Sequence, residues 1–407
     1  MFKIGRLAGA RGQLTACSTM HVVNDGLFAG TYPLLPLVAA ELGLSYAQVG
    51  ALKTAYSGAS SVLQVPAGFL AERMGEQLLL ALGTTWVGLG LLLVALTASY
   101  LPLLVANVAA GIGGNVQHPV ASAVVSRVFD GGRRATAIGT LNFAGDVGKV
   151  LAPLVVGIAA ATGGWRAGFL ALGAIGAVFG IAYAFLIPEP APSASPHPPT
   201  SHPDPSANPA APPSPLPQSG WGIRAPGTFA ALIAIGMLDA AARGTALVFI
   251  PFVLQGKGAE AASMSFYFAV LFAAGAAGKF LCGPLGDRFG SAAVIAITEL
   301  ITAAALVGLV GAPLELALLA ILPLGFMLNG TSSVLYAAVA SLVHASRRAR
   351  GYGLYYTCSQ VSSAASPLLY GLLADWLGLT TAIVTLALAT AAIVPLALVV
   401  GPRLSDS

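Results

Sequence analysis

Charge is what this chain has least of. Its 19 basic and 15 acidic residues make up only 8% of 407 positions, where ordinary soluble domains carry about a quarter. A water-facing surface cannot be built from that supply. The basic residues are scattered singly through short loops, which excludes a nucleic-acid-binding face despite the formal charge of +4. Cysteine is nearly as scarce. Cys17, Cys282 and Cys358 all fall inside apolar stretches, so no disulfide framework is implied. There is no GxxxxGK[ST] phosphate loop, which argues against ATP drive within this chain. No H-E-x-x-H spacing surrounds His21 or His118, and Asp287 belongs to a loop, so neither a metal nor an aspartic intramembrane protease fits. Segments of about 10 residues alternating in polarity, the mark of a membrane β-barrel, are missing too.

Apolar runs fill the space. The chain is 57% hydrophobic, and runs of about 20 residues, each able to cross a hydrocarbon core of about 30 Å, recur from end to end. We read twelve spans, near 14–38, 47–71, 78–98, 101–127, 135–161, 166–187, 226–254, 261–285, 291–311, 315–344, 350–373 and 378–401. The first, preceded by Lys3, Arg6 and Arg11, is too long for a signal-peptide core and is expected to stay uncleaved. The expectation is an all-α membrane protein with residues 1–187 and 221–407 as two six-helix bundles. Residues 188–220, which hold 13 of the 27 prolines, form the linker.

Loop charge sets the expected orientation. With the N-terminus inside, the inner loops and termini collect Lys3, Arg6, Arg11, Arg73, Arg127, Arg133, Arg134, Arg224, Arg288, Arg347, Arg348, Arg350 and Arg403. The outer loops receive only Arg166 and Lys257. Both termini and the linker are therefore expected in the cytoplasm. The richness in Ala and Gly points to a bacterial plasma membrane.

The halves repeat each other. GFLAERMG (68–75) matches GPLGDRFG (283–290), Arg133 and Arg134 match Arg347 and Arg348, and Pro153 with Gly157 matches Pro367 with Gly371, all 214 or 215 positions apart. One offset joining three unrelated landmarks implies a duplicated six-span unit. Transporters of that plan hold their substrate near mid-membrane, between the repeats.

The two loop segments resemble the Gly-x-Leu-Ala-Asp-Arg-x-Gly signature of major facilitator superfamily transporters. GIGGNVQHPVASAVVSRVF (111–129) and LNFAGDVGKVLAPLVVG (141–157) are similar to the fourth and fifth spans of fosmidomycin-resistance-type exporters. Gly139, Gly148, Ala152, Pro153 and Gly157 resemble the fifth-span antiporter motif, although Ala152 and Val156 stand where it has Gly. Glu76 and Gln77 replace the basic pair that follows the loop signature. The resemblance implies the major facilitator fold and alternating access. It also implies gating by Glu72, Arg73, Asp287 and Arg288, which would pair with span-end arginines when the cytoplasmic side closes.

Polar residues inside the spans are the candidate site. Asn142, Asp146, Lys149 and Pro153 form one helical stripe, with Gly145, Gly148 and Ala152 beside it. Asp146 and Lys149 either hold span 5 against its neighbours or contact substrate and proton. Pro153 beside Gly148 supplies a bend for gating. His21, Asn24 and Asp25 share a face of span 1 with Phe28 and Tyr32. Aligning Pro33 with Pro251 sets Asp25 opposite Arg243, so a cross-cavity pair is one reading; Asp239, one turn before Arg243, is the competing partner. Asn115, His118 and Ser122 line span 4, with Asn329, Ser332, Ser333 and Tyr336 at matching places on span 10. Tyr355, Ser359, Ser362 and Ser366 give span 11 a weaker polar face. Lys53 and Lys279 lie toward span ends, where they can snorkel, and Glu299 has no evident partner. Neither a cofactor nor a metal is expected, metal ligation by His21, Asp25 and His118 being the minor reading of those residues.

Two transport functions follow: export of a small polar or amphipathic solute in exchange for protons, and proton-coupled import of an organic anion. A non-transporting sensor is the reading from another class. The expected partners are an anionic or zwitterionic small molecule, protons and the lipid bilayer, with the protein acting as a monomer.

Overall fold

The computed structural model of the chain describes residues 9–62, 66–129, 132–187, 221–344 and 347–405. The Pro-rich stretch 188–220, with Lys3 and Arg6, lies outside them. Within them the chain is helical, in the order α1 (Ala10–Ala29), α2 (Leu35–Leu42), α3 (Tyr46–Val62), α4 (Ala67–Met74), α5 (Glu76–Ala95), α6 (Tyr100–Ile112), α7 (Gln117–Val128) and α8 (Gly132–Leu186) for the first bundle. The second holds α9 (Pro226–Gly256), α10 (Ala261–Phe289), α11 (Ser291–Gly311), α12 (Ala317–Leu342), α13 (Arg348–Leu377), α14 (Leu379–Ala391) and α15 (Ile393–Ser405). These helices make the twelve crossings read from the sequence. Seven of the described helices are long and apolar enough by themselves to cross a bilayer. The remaining spans are either broken into shorter helices, as α6 and α7 are, or carry more polar residues, as the continuous α13 does.

Those interruptions have local causes. Pro33 and Pro36 have no N–H to continue α1, so a 3-10 turn at Tyr32–Leu34 joins it to α2. Between α6 and α7 the run GGNV (113–116) forms a turn rather than continuous α-helix, the Gly114 N–H donating to the Gly111 carbonyl at 2.8 Å. In α8, Gly163 and Gly164 break the helix, Gly164 at φ 67°, and the chain reverses into the sixth span.

The duplication is written into the backbone. Gly43 (φ 63°) and Gly258 (φ 92°) are 215 positions apart, as are Gly75 (φ 93°) and Gly290 (φ 85°). Gly164 (φ 67°) and Gly378 (φ 87°) are 214 apart. Left-handed backbone at matched places, where only glycine is free of a Cβ penalty, marks the same loops in both repeats. Contacts between helices repeat with the same offset. Gly148 lies against the Val22 carbonyl, and Ser362 donates to the Met237 carbonyl at 2.7 Å. Ala152 packs on Gly26, and Ser366 donates to the Ala241 carbonyl at 3.2 Å.

This register corrects the alignment of Pro33 with Pro251. The 3-10 turn at Tyr32–Leu34 displaces Pro33 from its match. At the 215 offset the counterpart of Arg243 is Phe28, and that of Asp239 is Asn24.

Taking the end that carries the Arg-rich loops as the basic end, the two bundles meet at the other, far end. Asp375 of α13 accepts from the backbone N–H groups of Tyr46 (2.8 Å) and Ala47 (2.9 Å), capping α3 across the interface. Tyr32 stacks on Phe268, and Tyr46 sits edge-on to Phe249 and Phe252. One buried apolar cluster there takes Ala29, Tyr32, Ala39 and Val49 from the first bundle and Phe249, Leu254 and Phe268 from the second. At the basic end Glu72, Arg73, Asp287 and Arg288 are all exposed, and among the described residues none of the four forms an ion pair. The protein is thus closed at the far end, and among the described residues no ion pair joins the basic-end signatures.

Candidate functional site

Mid-span ionised groups cluster in two places. In the first bundle α1, α7 and α8 bring together His21, Asp25, His118, Asp146 and Lys149. Small residues make this possible. A Cβ on Gly145 would lie 2.6 Å from Asp25 Oδ2 and 2.7 Å from the His21 ring, and one on Gly148 would collide with the Val22 carbonyl. Only with glycine at both can α8 approach α1 closely enough for its lysine to reach.

Lys149 Nζ bridges Asp25 Oδ2 at 2.9 Å and Asp146 Oδ1 at 3.2 Å. Asp146 in turn accepts from Lys279 of α10 at 2.7 and 2.9 Å. His21 Nε2 and His118 Nε2 lie 3.4 and 3.7 Å from Asp25 Oδ1, their rings 4.9 Å apart and edge-on. Asp25 and Asp146 are buried, whereas the His118 side chain is 48% exposed. A linear relay results: histidines, Asp25, Lys149, Asp146, Lys279. Its two acids and two lysines compensate each other, as intramembrane charges must. The three ligand atoms of His21, Asp25 and His118 also lie within 4.8 Å of one another, but the Lys149 ammonium already serves the same carboxylate.

The second cluster lies in the second bundle. Arg243 donates through Nη2 to Asp239, one turn earlier on α9. Arg243 therefore pairs with Asp239 and Asp25 with Lys149; the cross-cavity Asp25–Arg243 pair is not formed. Among the described residues Arg243 Nε has no hydrogen-bond partner. A small polar cavity over this pair is lined by Ser332, Tyr336, Tyr355, Tyr356 and Gln360. The Tyr336 ring lies 5.0 Å from that of Tyr356 and 6.1 Å from that of Tyr355.

Other candidates turn elsewhere. Asn24 reaches Thr84 of α5 at 3.5 Å, and Asn115 donates to Ser60 of α3 at 3.0 Å. Asn142 is exposed. Asn329 donates to the Gly325 carbonyl of its own helix at 3.3 Å and fills the space beside Gly275. Pro153 is buried within α8. Ser362 and Ser366 bond α9 carbonyls, so they seam α13 to α9 rather than line a cavity.

Three groups mattered more than their sequence positions suggested. Lys279 lies at the bundle interface rather than snorkelling. Lys53 also turns inward: its Nζ sits 3.5 Å over the Phe28 ring, 5.2 Å from Tyr32 and 6.0 Å from Tyr56. Among the described residues it forms no ion pair with a carboxylate. Phe28 and Tyr32 at i, i+4 along the first span, with Tyr56 three positions after Lys53 on the second, were the available signal. Glu299 is buried on α11, 215 positions after Thr84 as Asp239 is after Asn24, and the side chains of that first-bundle couple meet at 3.5 Å.

Two pseudo-symmetric six-span bundles, sealed together at one end and carrying compensated charges at their seam, define a secondary transporter. The chain belongs to the Major Facilitator Superfamily, whose family model matches residues 17–237 and 232–406. It is 31% identical over 147 residues to the Fosmidomycin resistance protein of Escherichia coli (strain K12), 36% of each chain. It is 28% identical over 146 residues to the Probable L-galactonate transporter of the same organism, covering 36% of this chain and 32% of that one. The chain thus matches these curated relatives over about a third of their length. A crystal structure of a bacterial homolog to the human lysosomal transporter Spinster, inward-facing and unoccupied, superposes with a TM-score of 0.75 at 18% identity, covering 97% of this chain and 96% of that one. That likeness is one of fold.

Proposed function

We propose that this protein moves a small organic anion across the bacterial plasma membrane by alternating access, coupled to protons, with both termini on the cytoplasmic side. The observation that carries the reading is Lys53. An ammonium at membrane depth is costly, and cation–π contact with Phe28 returns only about 0.5–2 kcal/mol. A carboxylate, phosphonate or sulfonate resting on Lys53 supplies the charge its neighbours lack. Arg243, with an unpartnered Nε beside a polar cavity, offers a second anchor in the other bundle. An anion bridging Lys53 and Arg243 would touch both repeats, as alternating access requires. The L-galactonate transporter among the relatives bears the name of an organic acid.

Closing the basic end would bring Glu72, Arg73, Asp287 and Arg288 into ion pairs, with Gly148 and Pro153 letting α8 bend. This conformation, with those residues apart, suits loading from the cytoplasm or release to it. Because anion binding at Arg243 frees a carboxylate to take a proton, the charge arrangement favours symport. Export by drug/proton antiport is the second reading. The similarity of residues 111–129 and 141–157 to fosmidomycin-resistance exporters favours it, as does the 31% identical relative.

The test is a flux assay in proteoliposomes of defined orientation with an imposed pH gradient, using L-galactonate and fosmidomycin as probes. Symport predicts L-galactonate accumulation on the alkaline side, abolished by Lys53→Met. Accumulation of fosmidomycin on the acidic side, with no L-galactonate flux, would establish the second reading instead. Unchanged flux in Lys53→Met would remove the anion anchor.

A further inference from the structure

We propose that Asp239 and Glu299 form a two-carboxylate proton site, holding one proton between them in this conformation and taking a second when an anion claims Arg243. The second half of this statement rests on the anion reading above; the first does not. Asp239 is 3% and Glu299 2% exposed, and at the 215 offset they take the places of Asn24 and Thr84, whose side chains meet at 3.5 Å. Two carboxyl groups brought together in that way bond only with a proton between them. Charge counting agrees. Arg243 is the cation paired with Asp239. With both acids ionised the buried cluster would carry an uncompensated negative charge at membrane depth.

The groups facing the pair can be enumerated. From α9 come Asp239 and Arg243, from α12 Tyr336, and from α13 Tyr355 and Tyr356. From α10 come Cys282, packed in the same apolar cluster as Val294 and Ile295, and Lys279, which is held by Asp146. Helix α14 and residues 393–401 of α15 carry no titratable group. None of these is a second free cation able to neutralise Glu299.

The fold does not demand acids here, because the other repeat does without them. At the 215 offset Asp239 matches Asn24 and Glu299 matches Thr84, and in the first bundle that neutral couple makes the corresponding contact, Asn24 Nδ2 to Thr84 Oγ1 at 3.5 Å. Arg243 matches Phe28. One repeat therefore closes this helix junction with an amide and a hydroxyl, while the other places two acids and a guanidinium in the same three positions. The ionisable version is an addition specific to the second repeat, opening on the cavity lined by Tyr336 and Tyr355.

The proton balance is simple. In the state seen, Asp239 carboxylate is paired with Arg243 and the shared proton resides on the Glu299 side, giving a neutral site. A monovalent anion that takes Arg243 leaves Asp239 without its counter-charge, and Asp239 takes one proton from cavity water. The site is again neutral, now holding the anion, Arg243 and two protonated acids. One proton is bound per anion, and the release of either destabilises the other.

Infrared spectroscopy of the purified full-length protein in lipid nanodiscs tests the pair without any substrate. A protonated-carboxyl stretching band is expected at neutral pH and should vanish in Glu299→Gln. Its absence from wild type, or its persistence in that variant, would overturn the proton pair. Should Glu299→Gln not fold, the double variant Asp239→Asn with Glu299→Thr imports the neutral couple of the first repeat and must also lack the band. For the coupling, L-galactonate is added to weakly buffered protein with a pH dye. Uptake of about one proton per anion bound is expected in wild type, and none in the double variant. Anion binding without proton uptake in wild type would overturn the coupling. A wild type that binds no L-galactonate but keeps the band would instead count against the anion reading and leave the proton pair standing.

Discussion

Lys279 of the second bundle holds Asp146 of the first through both carboxylate oxygens, at 2.7 and 2.9 Å, and Asp146 simultaneously accepts from Lys149 at 3.2 Å. One buried acid thus ties the Asp25 relay to the facing bundle. Asp146 is buried, while the side chain of Lys279 is 34% exposed, so water screens the pair from one side. A contact of this kind resists separation of α8 and α10 at mid-depth, where any rocking of the bundles must shear it.

The first prediction concerns that contact. In a double-mutant cycle with Asp146→Asn and Lys279→Gln, the coupling energy should be about 1–3 kcal/mol. Asp146→Asn should be the more damaging single change, because it leaves Lys279 without its carboxylate and Lys149 with Asp25 alone. Thermal unfolding in detergent measures both. Additive single effects would mean that the two bundles are not joined through this pair.

The second prediction concerns the seal at the far end. Asp375 satisfies two N–H groups at the start of α3 and places its charge at the positive end of that helix. Removing such a cap costs about 0.5–2 kcal/mol, equivalent to a factor of about 2–30 in a two-state equilibrium. Asp375→Ala should therefore shift the population toward separation at the far end. Spin labels at Ser45 and Leu377, both exposed, would report a longer distance component in the variant. An unchanged distance distribution would show that Tyr32, Phe268 and the apolar cluster hold the seal unaided.

Much of this was legible in the chain itself, because bilayer physics leaves few alternatives. Span count and the duplicated half both follow from apolar runs and one constant offset. The site was harder, for reasons that particular residues make clear. Asp239 was visible as a competitor for Arg243 because an i, i+4 pair is local. Glu299 had no visible partner because its neighbour is 60 positions away on another helix. Lys53 looked like a snorkelling residue near a span end. Its reach toward Phe28 depends on where α3 crosses α1, which no periodicity encodes. The alignment of Pro33 with Pro251 failed because a 3-10 turn moves a proline without moving the helix it ends. The glycines of positive φ keep true register, since their positions are set by backbone geometry.

The third prediction separates two glycines of α8. A Cβ at Gly145 would crowd Asp25 Oδ2 and the His21 ring, whereas one at Gly139 would meet nothing within 4 Å. Gly145→Ala should destabilise by about 1–3 kcal/mol through overpacking and should disturb the 2.9 Å bridge from Lys149 to Asp25. Gly139→Ala should be neutral or stabilising by about 0.5–1 kcal/mol, the ordinary gain of replacing helical glycine. Melting temperatures of the two variants decide the matter. Equal effects would mean that the close approach of α1 and α8 is not what Gly145 provides.

The fourth prediction is a pH dependence outside the membrane-spanning segments. Glu41, at the loop end of α2, accepts from the Arg166 guanidinium and from the Trp165 indole at 2.7 Å, and Arg166 also donates to the Thr97 carbonyl at 3.0 Å. The hydrogen bond from Arg166 comes first among the causes that hold the Glu41 carboxyl below its ordinary range, with the Trp165 bond next. A carboxylate depressed in the folded state contributes stability that is present above its unfolded pKa and is lost as pH falls through the folded value. The wild-type melting temperature should therefore decline on acidification below the usual glutamate range. Part of that decline should disappear in Glu41→Gln, which keeps the shape and removes the titration. The effect should be small and weakened by added salt, because Glu41 is exposed. Identical slopes for wild type and variant from neutral to acid pH would show that this three-way contact between α2, the α5 end and the sixth span contributes no measurable linkage.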